Sequence, residues 1–190
     1  MTPTQTKKRI ATNDIVLIAL FATLTIIGTM IRIPVPSAFG APFIHLGNSV
    51  LLLSVLLLGY KKGAFAGGMG FAIFDLLNGF PLEAPYFFVE SFIVGGVAIL
   101  VFNTLKIKND GALTIILTAT GEGIAKIIMT FLKNMGMSFI MTSNSKTALA
   151  SALGSLPATL VNTVSTVIIV TLIYPSLKKL TQSFYKKTSL

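Results

Sequence analysis

The sequence alternates long apolar runs with short polar segments, and the lengths of the runs define the predicted elements. A helix that crosses a membrane needs about 20 mostly apolar residues, within a range of about 17–25. Six runs are candidates for such helices: 15–33, 46–58, 62–80, 86–105, 112–133 and 148–177. The second is short for a span, and the sixth contains Pro157, which predicts a kink or a boundary between loop and helix. Two longer connections, 34–45 and 134–147, are predicted to be loops.

The composition is typical of a membrane protein. The chain has 190 residues, of which 53% are hydrophobic and 11% charged, and its mean hydropathy is +0.84. A soluble domain carries about 25% charged residues. We therefore predict an all-α integral membrane protein that forms one domain over residues 1–190. The first apolar run is too long for the core of a signal peptide and is interpreted as a retained transmembrane helix. Because the chain has no cysteine, disulfides, thiol chemistry and cysteine-ligated metals are excluded.

The distribution of positive charge predicts the orientation in the membrane. The net charge is +9, but Lys and Arg lie in short clusters between apolar runs, as membrane flanks do, and no nucleic-acid motif is present. With six transmembrane helices, eleven basic residues fall on one side: Lys7, Lys8, Arg9, Lys61, Lys62, Lys106, Lys108, Lys178, Lys179, Lys186 and Lys187. The other side carries three, Arg32, Lys133 and Lys146. Because cytoplasmic segments carry the excess of basic residues, both termini are predicted to be cytoplasmic, and both long loops are predicted to lie outside.

Four ionisable residues lie within the apolar runs, namely Asp75, Glu90, Glu122 and Lys126. Each costs at least about 2.5–3.5 kcal/mol to insert into a bilayer, so such groups face protein or water and often mark function. Glu122 and Lys126 share one helix face because they are four residues apart. They form either a structural ion pair or part of a polar stripe that leads from an outer pocket towards the middle of the membrane. The sequence leaves both interpretations open.

Further polar residues are predicted to lie in the same bundle, most of them at its outer level. The full set of candidate substrate-binding residues is His45, Asn48, Asp75, Asn78, Tyr86, Glu90, Glu122, Lys126 and Asn162. Structural roles compete with binding for Asp75, which can join helices by hydrogen bonds, for Glu90, which can sit at a hydrated rim, and for Asn162, which can hold helices together. The single histidine has no histidine or cysteine partner, so a metal site is not predicted, and a loop-anchoring or ligand-contacting role is expected instead.

Small residues recur at helical spacing in the first and third helices. Gly63 and Gly67 are four residues apart and allow two helix backbones to approach closely, which we interpret as packing inside the bundle. The first helix carries Ala19, Ala22 and Thr23 on one face. That face either packs internally or meets a partner protein in the membrane.

The segment IHLGNSVLLLSVLLLGYKKGAFAGGMGFAIFDLLNGF (44–80) carries a family resemblance. Together with the six helices, the cytoplasmic termini, the small-residue face and the long first outer loop, it resembles the S component of energy-coupling factor (ECF) transporters. An S component is the substrate-binding membrane subunit of these importers. The similarity is greatest to the branch for vitamin precursors such as hydroxymethylpyrimidine or pyridoxine.

The resemblance implies a high-affinity vitamin binder in the bacterial plasma membrane that has no cofactor of its own. Its partners would be a transmembrane coupling subunit of the EcfT type and two cytoplasmic ATPases, which use the ATP. The family docks through Ala-x-x-x-Ala on the first helix, where this chain has Ala19-x-x-x-Thr23, so Ala19, Ala22 and Thr23 are the predicted docking residues. The family also binds its ligand on the outer side, among the fourth to sixth helices, where Tyr86, Glu90, Glu122 and Lys126 are expected.

Two other functions compete with vitamin binding. A proton-coupled carrier that acts alone would use Asp75, Glu90 or Glu122 as its titrating acid. An intramembrane enzyme is disfavoured, because the chain has a single histidine and no motif of a serine, metallo- or aspartyl hydrolase, so no catalytic residue is predicted. The vitamin itself stays open between pyridoxine, hydroxymethylpyrimidine and riboflavin. A stacking surface for its ring is expected from Phe39, Phe43, Tyr86, Phe87 and Phe88.

Overall fold

The computed structural model describes residues 12–35, 42–106 and 111–188. These residues form six helices and one short hairpin of two strands, so the prediction of an all-α membrane-type fold is confirmed. The elements are α1 (Thr12–Met30), β1 (Arg32–Pro34), β2 (Phe43–His45), α2 (Gly47–Leu58), α3 (Tyr60–Leu77), α4 (Ala84–Lys106), α5 (Ala112–Thr142) and α6 (Ser145–Thr188).

Four of the helices in the described part of the chain, α1, α4, α5 and α6, are long and apolar enough to cross a membrane. Helix α2 has 12 residues, which is about 18 Å and shorter than the bilayer core of about 30 Å. Nearly all its side chains are buried against other helices, so its apolar character serves internal packing. Helix α3 has 18 residues but carries Lys61, Lys62 and Asp75. The six predicted helices are therefore present, while six full membrane crossings remain a prediction.

Glycines bring α3 against α2. A Cβ atom added at Gly63 would overlap the backbone of Ser54, and one added at Gly67 would overlap the side chain of Leu51. The hydroxyl of Ser54 also donates a hydrogen bond of 2.8 Å to the carbonyl oxygen of Gly63. The small-residue spacing of α3 thus packs inside the bundle, as the sequence predicts. This close approach supports Leu51, whose side chain belongs to the apolar cluster under the site described below.

The predicted loop 34–45 contains part of an antiparallel hairpin. Arg32 pairs with His45, Ile33 with Ile44 and Pro34 with Phe43. The amide of Leu46 donates to the carbonyl oxygen of Gly28 at 2.9 Å, which ties the end of the hairpin to the end of α1. Residues 36–41, which include Phe39, lie outside the described residues.

The prediction of a long loop at 134–147 is wrong. Helix α5 continues to Thr142, and α6 begins at Ser145 after a turn of two residues. Ser143 adopts a positive φ of 50°, and the side-chain oxygen of Asn144 accepts hydrogen bonds from the amides of Lys146 and Thr147 at 2.9 and 3.2 Å. This capping interaction satisfies amides that a helix start leaves without partners.

The predicted end of the last helix is also wrong. Helix α6 runs from Ser145 to Thr188 and contains both Pro157 and Pro175. Pro157 is therefore not a boundary between a loop and a helix. A helix of 31 residues, the length of α5, spans about 46 Å, so α5 and α6 extend well beyond the predicted spans.

Replacing Gly63 by alanine is expected to destabilise the protein, because the new methyl group forces α2 and α3 apart at a contact that involves backbone atoms. Overpacking of this kind costs about 1–3 kcal/mol. The matched control is Gly136→Ala in α5, where an added Cβ meets no atom within 4 Å and helix propensity improves. Thermal unfolding in detergent should show a lower midpoint for Gly63→Ala only. Equal midpoints for the two variants would contradict close packing of α2 on α3.

Candidate functional site

A cavity of about 150 Å³ lies at the end of the bundle that carries the hairpin. We call it the polar cavity. Its walls come from β2, α2, α3, α4, α5 and α6 and from the turn before α4. An apolar cluster that includes Leu51, Val55, Phe71 and Val94 is buried in the bundle, with Phe87 packed against it. The cavity is therefore a polar pocket above an apolar core.

Five of the nine predicted substrate-binding residues line the polar cavity: His45, Asn48, Asp75, Lys126 and Asn162. Tyr86, Glu90, Glu122 and Asn78 do not line it. Asn78 instead ends α3, where its side-chain amide donates to the carbonyl oxygen of Phe74 at 2.9 Å. The structure thus brings residues from four helices and one strand to one place.

Lys126 forms its ion pair with Glu90 of the neighbouring helix α4. Both side chains are buried, with exposed fractions of 9% and 1%. The hydroxyl of Tyr86 lies 3.1 Å from Oε1 of Glu90 and 2.9 Å from the carbonyl oxygen of Met129. The alternative of a structural pair between Glu122 and Lys126 is therefore wrong, since the partner of Lys126 comes from another helix. Glu90 is a buried counter-ion and not a residue of a hydrated rim.

Glu122 lies one helical turn from Lys126 on α5 and is almost completely buried, with 2% of its surface exposed. Its Oε1 atom has no hydrogen-bond partner in the described part of the chain. It does not line the polar cavity. A contact between Glu122 and a ligand therefore stays a prediction.

Asn162 attaches the hairpin to α6. Its Oδ1 atom accepts a hydrogen bond of 2.8 Å from the amide of His45, and its Nδ2 atom donates one of 3.1 Å to the carbonyl oxygen of Phe43. The side-chain amide therefore bonds to β2 as the backbone of a further strand would. Its role is to hold the hairpin over the cavity, which differs from the helix–helix contact considered for it.

His45 lies in β2, outside the helices, and is fixed by a local contact. Its Nδ1 atom accepts a hydrogen bond of 3.1 Å from the amide of Gly47. Burial of the imidazole and, to a smaller extent, the positive charge of Lys126 together lower the pKa of His45 to about 3. The ring is therefore neutral at physiological pH and presents Nε2–H as a donor. This arrangement supports the predicted loop-anchoring role of His45.

Two buried acceptor atoms of residues that line the polar cavity have no hydrogen-bond partner in the described part of the chain. These are Oδ1 of Asn48 and Oδ2 of Asp75, in side chains whose residues are 3% and 4% exposed. Two lysines, Lys126 and Lys133, also line the cavity. A buried acceptor without a partner costs about 1–3 kcal/mol. The site is thus suited to a small molecule that carries both hydrogen-bond donors and acceptors.

Aromatic rings form part of the wall. Of the predicted stacking residues, Phe43 and Phe87 line the polar cavity together with Phe80, which was not predicted, while Phe39 lies outside the described residues. The ammonium group of Lys126 lies 5.0 Å from the centre of the Phe87 ring, and that of Lys133 lies 4.8 Å from it. Phe88 is not part of the site, because it packs on Phe65 with a distance of 5.9 Å between ring centres.

Several lining residues were not among the predicted site residues. Ser155 and Thr159 line the cavity with Asn162, and their spacing along α6 forms a polar stripe that helical periodicity could have identified. Glu83, in the turn before α4, also lines the cavity and pairs with Lys133 at 2.6 Å. No group of three or more His, Cys, Asp or Glu side chains suited to a metal ion occurs within residues 12–35, 42–106 and 111–188.

Removing one member of the ion pair between Glu90 and Lys126 is expected to destabilise the protein by about 3–5 kcal/mol, because the other charge stays buried without a partner. The double variant Glu90→Gln with Lys126→Met should recover most of the loss. The matched control is Glu122→Gln with Lys126→Met, which should not recover it. The free energy of unfolding in detergent would be measured for all single and double variants. Recovery with Glu122→Gln instead would contradict the observed pairing.

Comparison with known proteins gives one match that covers most of the chain. The family model described as "ECF-type riboflavin transporter, S component" matches residues 9–179. A curated protein of Pyrococcus woesei, described as "Uncharacterized protein in gap 3'region", is 34% identical over 76 residues. That similarity covers 38% of this chain and 49% of the other, so the chain spans about half the length of this relative. No solved structure matches the chain significantly.

Proposed function

The chain belongs to the family of S components of ECF-type transporters, and we propose that it binds a single-ring water-soluble vitamin or vitamin precursor, with pyridoxine or hydroxymethylpyrimidine as the expected ligand. Membership makes the chain a substrate-binding subunit of a transporter and not an enzyme.

The size of the polar cavity is the observation that carries the choice of ligand. A dry cavity of about 150 Å³ accommodates one benzene-sized ring, and the polar cavity has this volume. A pyridine or pyrimidine ring with short substituents matches that size, whereas a flavin has three fused rings. Although the matching family model is named for riboflavin, the cavity favours the smaller ligand.

The chemistry of the wall supports the same class of ligand. Phe43 and Phe87 offer apolar surface to an aromatic ring. The free acceptors of Asn48 and Asp75 match the hydroxyl groups of pyridoxine or the amino group of hydroxymethylpyrimidine. Lys126 supplies a donor for a ring nitrogen or a phenolic oxygen. The wall combines apolar surface with oriented polar groups, as binding sites for small molecules do.

The proposed route begins on the outer side of the bacterial plasma membrane. The distribution of basic residues supports cytoplasmic termini and an outward-facing hairpin. We expect all six helices to be embedded in the membrane and the segment 34–45 to close over the bound vitamin. Release to the cytoplasm would follow reorientation within a complex that contains a coupling subunit of the EcfT type and two cytoplasmic ATPases. These partners supply the ATP-dependent step.

Purified protein in detergent is expected to bind pyridoxine or hydroxymethylpyrimidine without ATP or a proton gradient, and to bind riboflavin about tenfold more weakly or worse. Native mass spectrometry would first detect any ligand that co-purifies, and calorimetry would then measure affinities. Asn48→Leu should weaken binding because it removes a free acceptor, whereas Asn78→Ala, outside the cavity, should not. Tighter binding of riboflavin would contradict the single-ring proposal. Uptake that the chain performs alone, driven by a proton gradient, would support a carrier.

Docking of the coupling subunit is proposed at the outward face of α1. Ala19 and Thr23 are exposed, whereas Ala22 is half-buried and its carbonyl oxygen lies 2.7 Å from the position that a Cβ of Gly70 would take. The small exposed side chains would allow a partner helix to approach closely. Ala22 therefore belongs in part to the packing between α1 and α3.

Replacing Ala19 by phenylalanine is expected to abolish vitamin uptake in cells that express the whole complex, because the ring prevents close approach of the partner. Ligand affinity of the purified chain should be unchanged, since Ala19 is far from the polar cavity in sequence and lines no part of it. Leu100→Phe is the control, because Leu100 is 68% exposed on α4. Uptake that survives at the wild-type rate in Ala19→Phe would remove the docking assignment.

A further inference from the structure

A second and larger pocket, open to the surface at Leu82, Ile140 and Met141, lies beside the polar cavity. We call it the apolar cleft. Its volume is about 510 Å³, and it lies between the start of α4, the last part of α5 and the start of α6. Most of its wall is apolar and includes Leu82, Leu132, Met137, Ile140 and Met141. Methionine side chains adapt readily to ligands of different shape.

Three residues line both cavities, namely Glu83, Lys133 and Asn134. They form the wall between them. Nζ of Lys133 pairs with Oε2 of Glu83 at 2.6 Å and joins α5 to the turn before α4. Nδ2 of Asn134 donates to Oγ of Ser155 at 2.8 Å and joins α5 to α6. Two polar contacts therefore separate a ring-sized pocket from a cleft more than three times its volume.

Lys133 is the longest side chain of this wall. Its ammonium group is held by Glu83 and also lies 4.8 Å from the ring centre of Phe87 and 5.7 Å from that of Tyr86. The side chain of Glu83 is 38% exposed and that of Lys133 is 14% exposed, so the charge attraction is partly screened by water. We therefore expect the aliphatic stem of Lys133 to block the passage between the polar cavity and the apolar cleft mainly by its volume. The contacts with Glu83 and Phe87 fix the position of the stem.

We propose that Lys133, positioned by Glu83, is the specificity-determining residue that limits the ligand to a single ring. This inference rests on the proposed function, because it concerns the ligand of the same site. With a short side chain at position 133, the polar cavity and the apolar cleft become one. A ligand can then keep one ring between Phe43 and Phe87 and extend further apolar rings against Met137 and Met141.

The test compares Lys133→Ala with Lys133→Met, using pyridoxine and riboflavin as probes in calorimetry. Both variants remove the charge and leave Glu83 without its partner, but only alanine removes the volume. We expect Lys133→Ala to raise the affinity for riboflavin relative to pyridoxine by about tenfold or more, while Lys133→Met keeps the wild-type preference. An unchanged preference in Lys133→Ala, or an equal change in both variants, would overturn the inference. So would wild-type protein that already prefers riboflavin.

If no vitamin binds, the proposed function is refuted, but a second measurement still tests whether Lys133 separates the polar cavity from the apolar cleft. The chain has no cysteine, so Thr130→Cys places one thiol in the wall of the polar cavity, away from the apolar cleft. Its reaction rates with a small methanethiosulfonate and with a bulky pyrene maleimide would be compared. Adding Lys133→Ala should raise the rate of the bulky reagent relative to the small one by about tenfold, and adding Lys133→Met should not. Equal rate ratios in the three proteins would show that Lys133 is no barrier.

Discussion

The ion pair between Glu90 and Lys126 is the interaction on which the arrangement of the site depends. Each charge is buried, and a buried charge without a partner is among the costliest defects in a protein interior. The pair therefore holds α4 and α5 in one register at the level of the polar cavity. Tyr86 adds a hydroxyl contact to Glu90 and to the backbone of α5. Lys126 can thus line the polar cavity while Glu90, which does not line it, balances its charge.

The hairpin completes the site through a contact of a different kind. Asn162 replaces the missing strand neighbour of β2, and Arg32 lies 5.1 and 5.3 Å from the ring centres of Phe43 and Phe74. These contacts are hydrogen bonds and cation–π interactions, and they lie where solvent has more access than at the buried ion pair. Each contributes less to stability than burial of an apolar side chain does. The helices therefore supply most of the stability of the site, whereas the hairpin is held over it mainly by polar contacts.

The sequence predicts the helices and about half of the site, because apolar runs and isolated polar residues within them are local signals. The partner of Lys126 was not predictable in this way, since spacing along α5 favours Glu122 whereas Glu90 reaches it only after α4 and α5 pack. The segment 134–147 looked like a loop because of its polar residues. In the structure the hydroxyl of Thr142 donates a hydrogen bond of 2.7 Å to the carbonyl oxygen of Ser138. Polar side chains of this kind therefore find hydrogen-bond partners within the helix itself.

On the proposal for Lys133, the unpredicted extension of α5 would let one fold serve ligands of different size. Lys133 is the last residue of the predicted fifth span, and several residues that follow it in α5 line the apolar cleft. The glycine contact of α3 lies apart from this edge, whereas the buried pair is connected to it, because the ammonium groups of Lys126 and Lys133 both lie on the ring of Phe87. Function resides in sites carried by a fold and not in the fold itself. On the proposal for Lys133, a family model named for riboflavin and a cavity that fits one ring are compatible, because one wall side chain would set the size of the ligand.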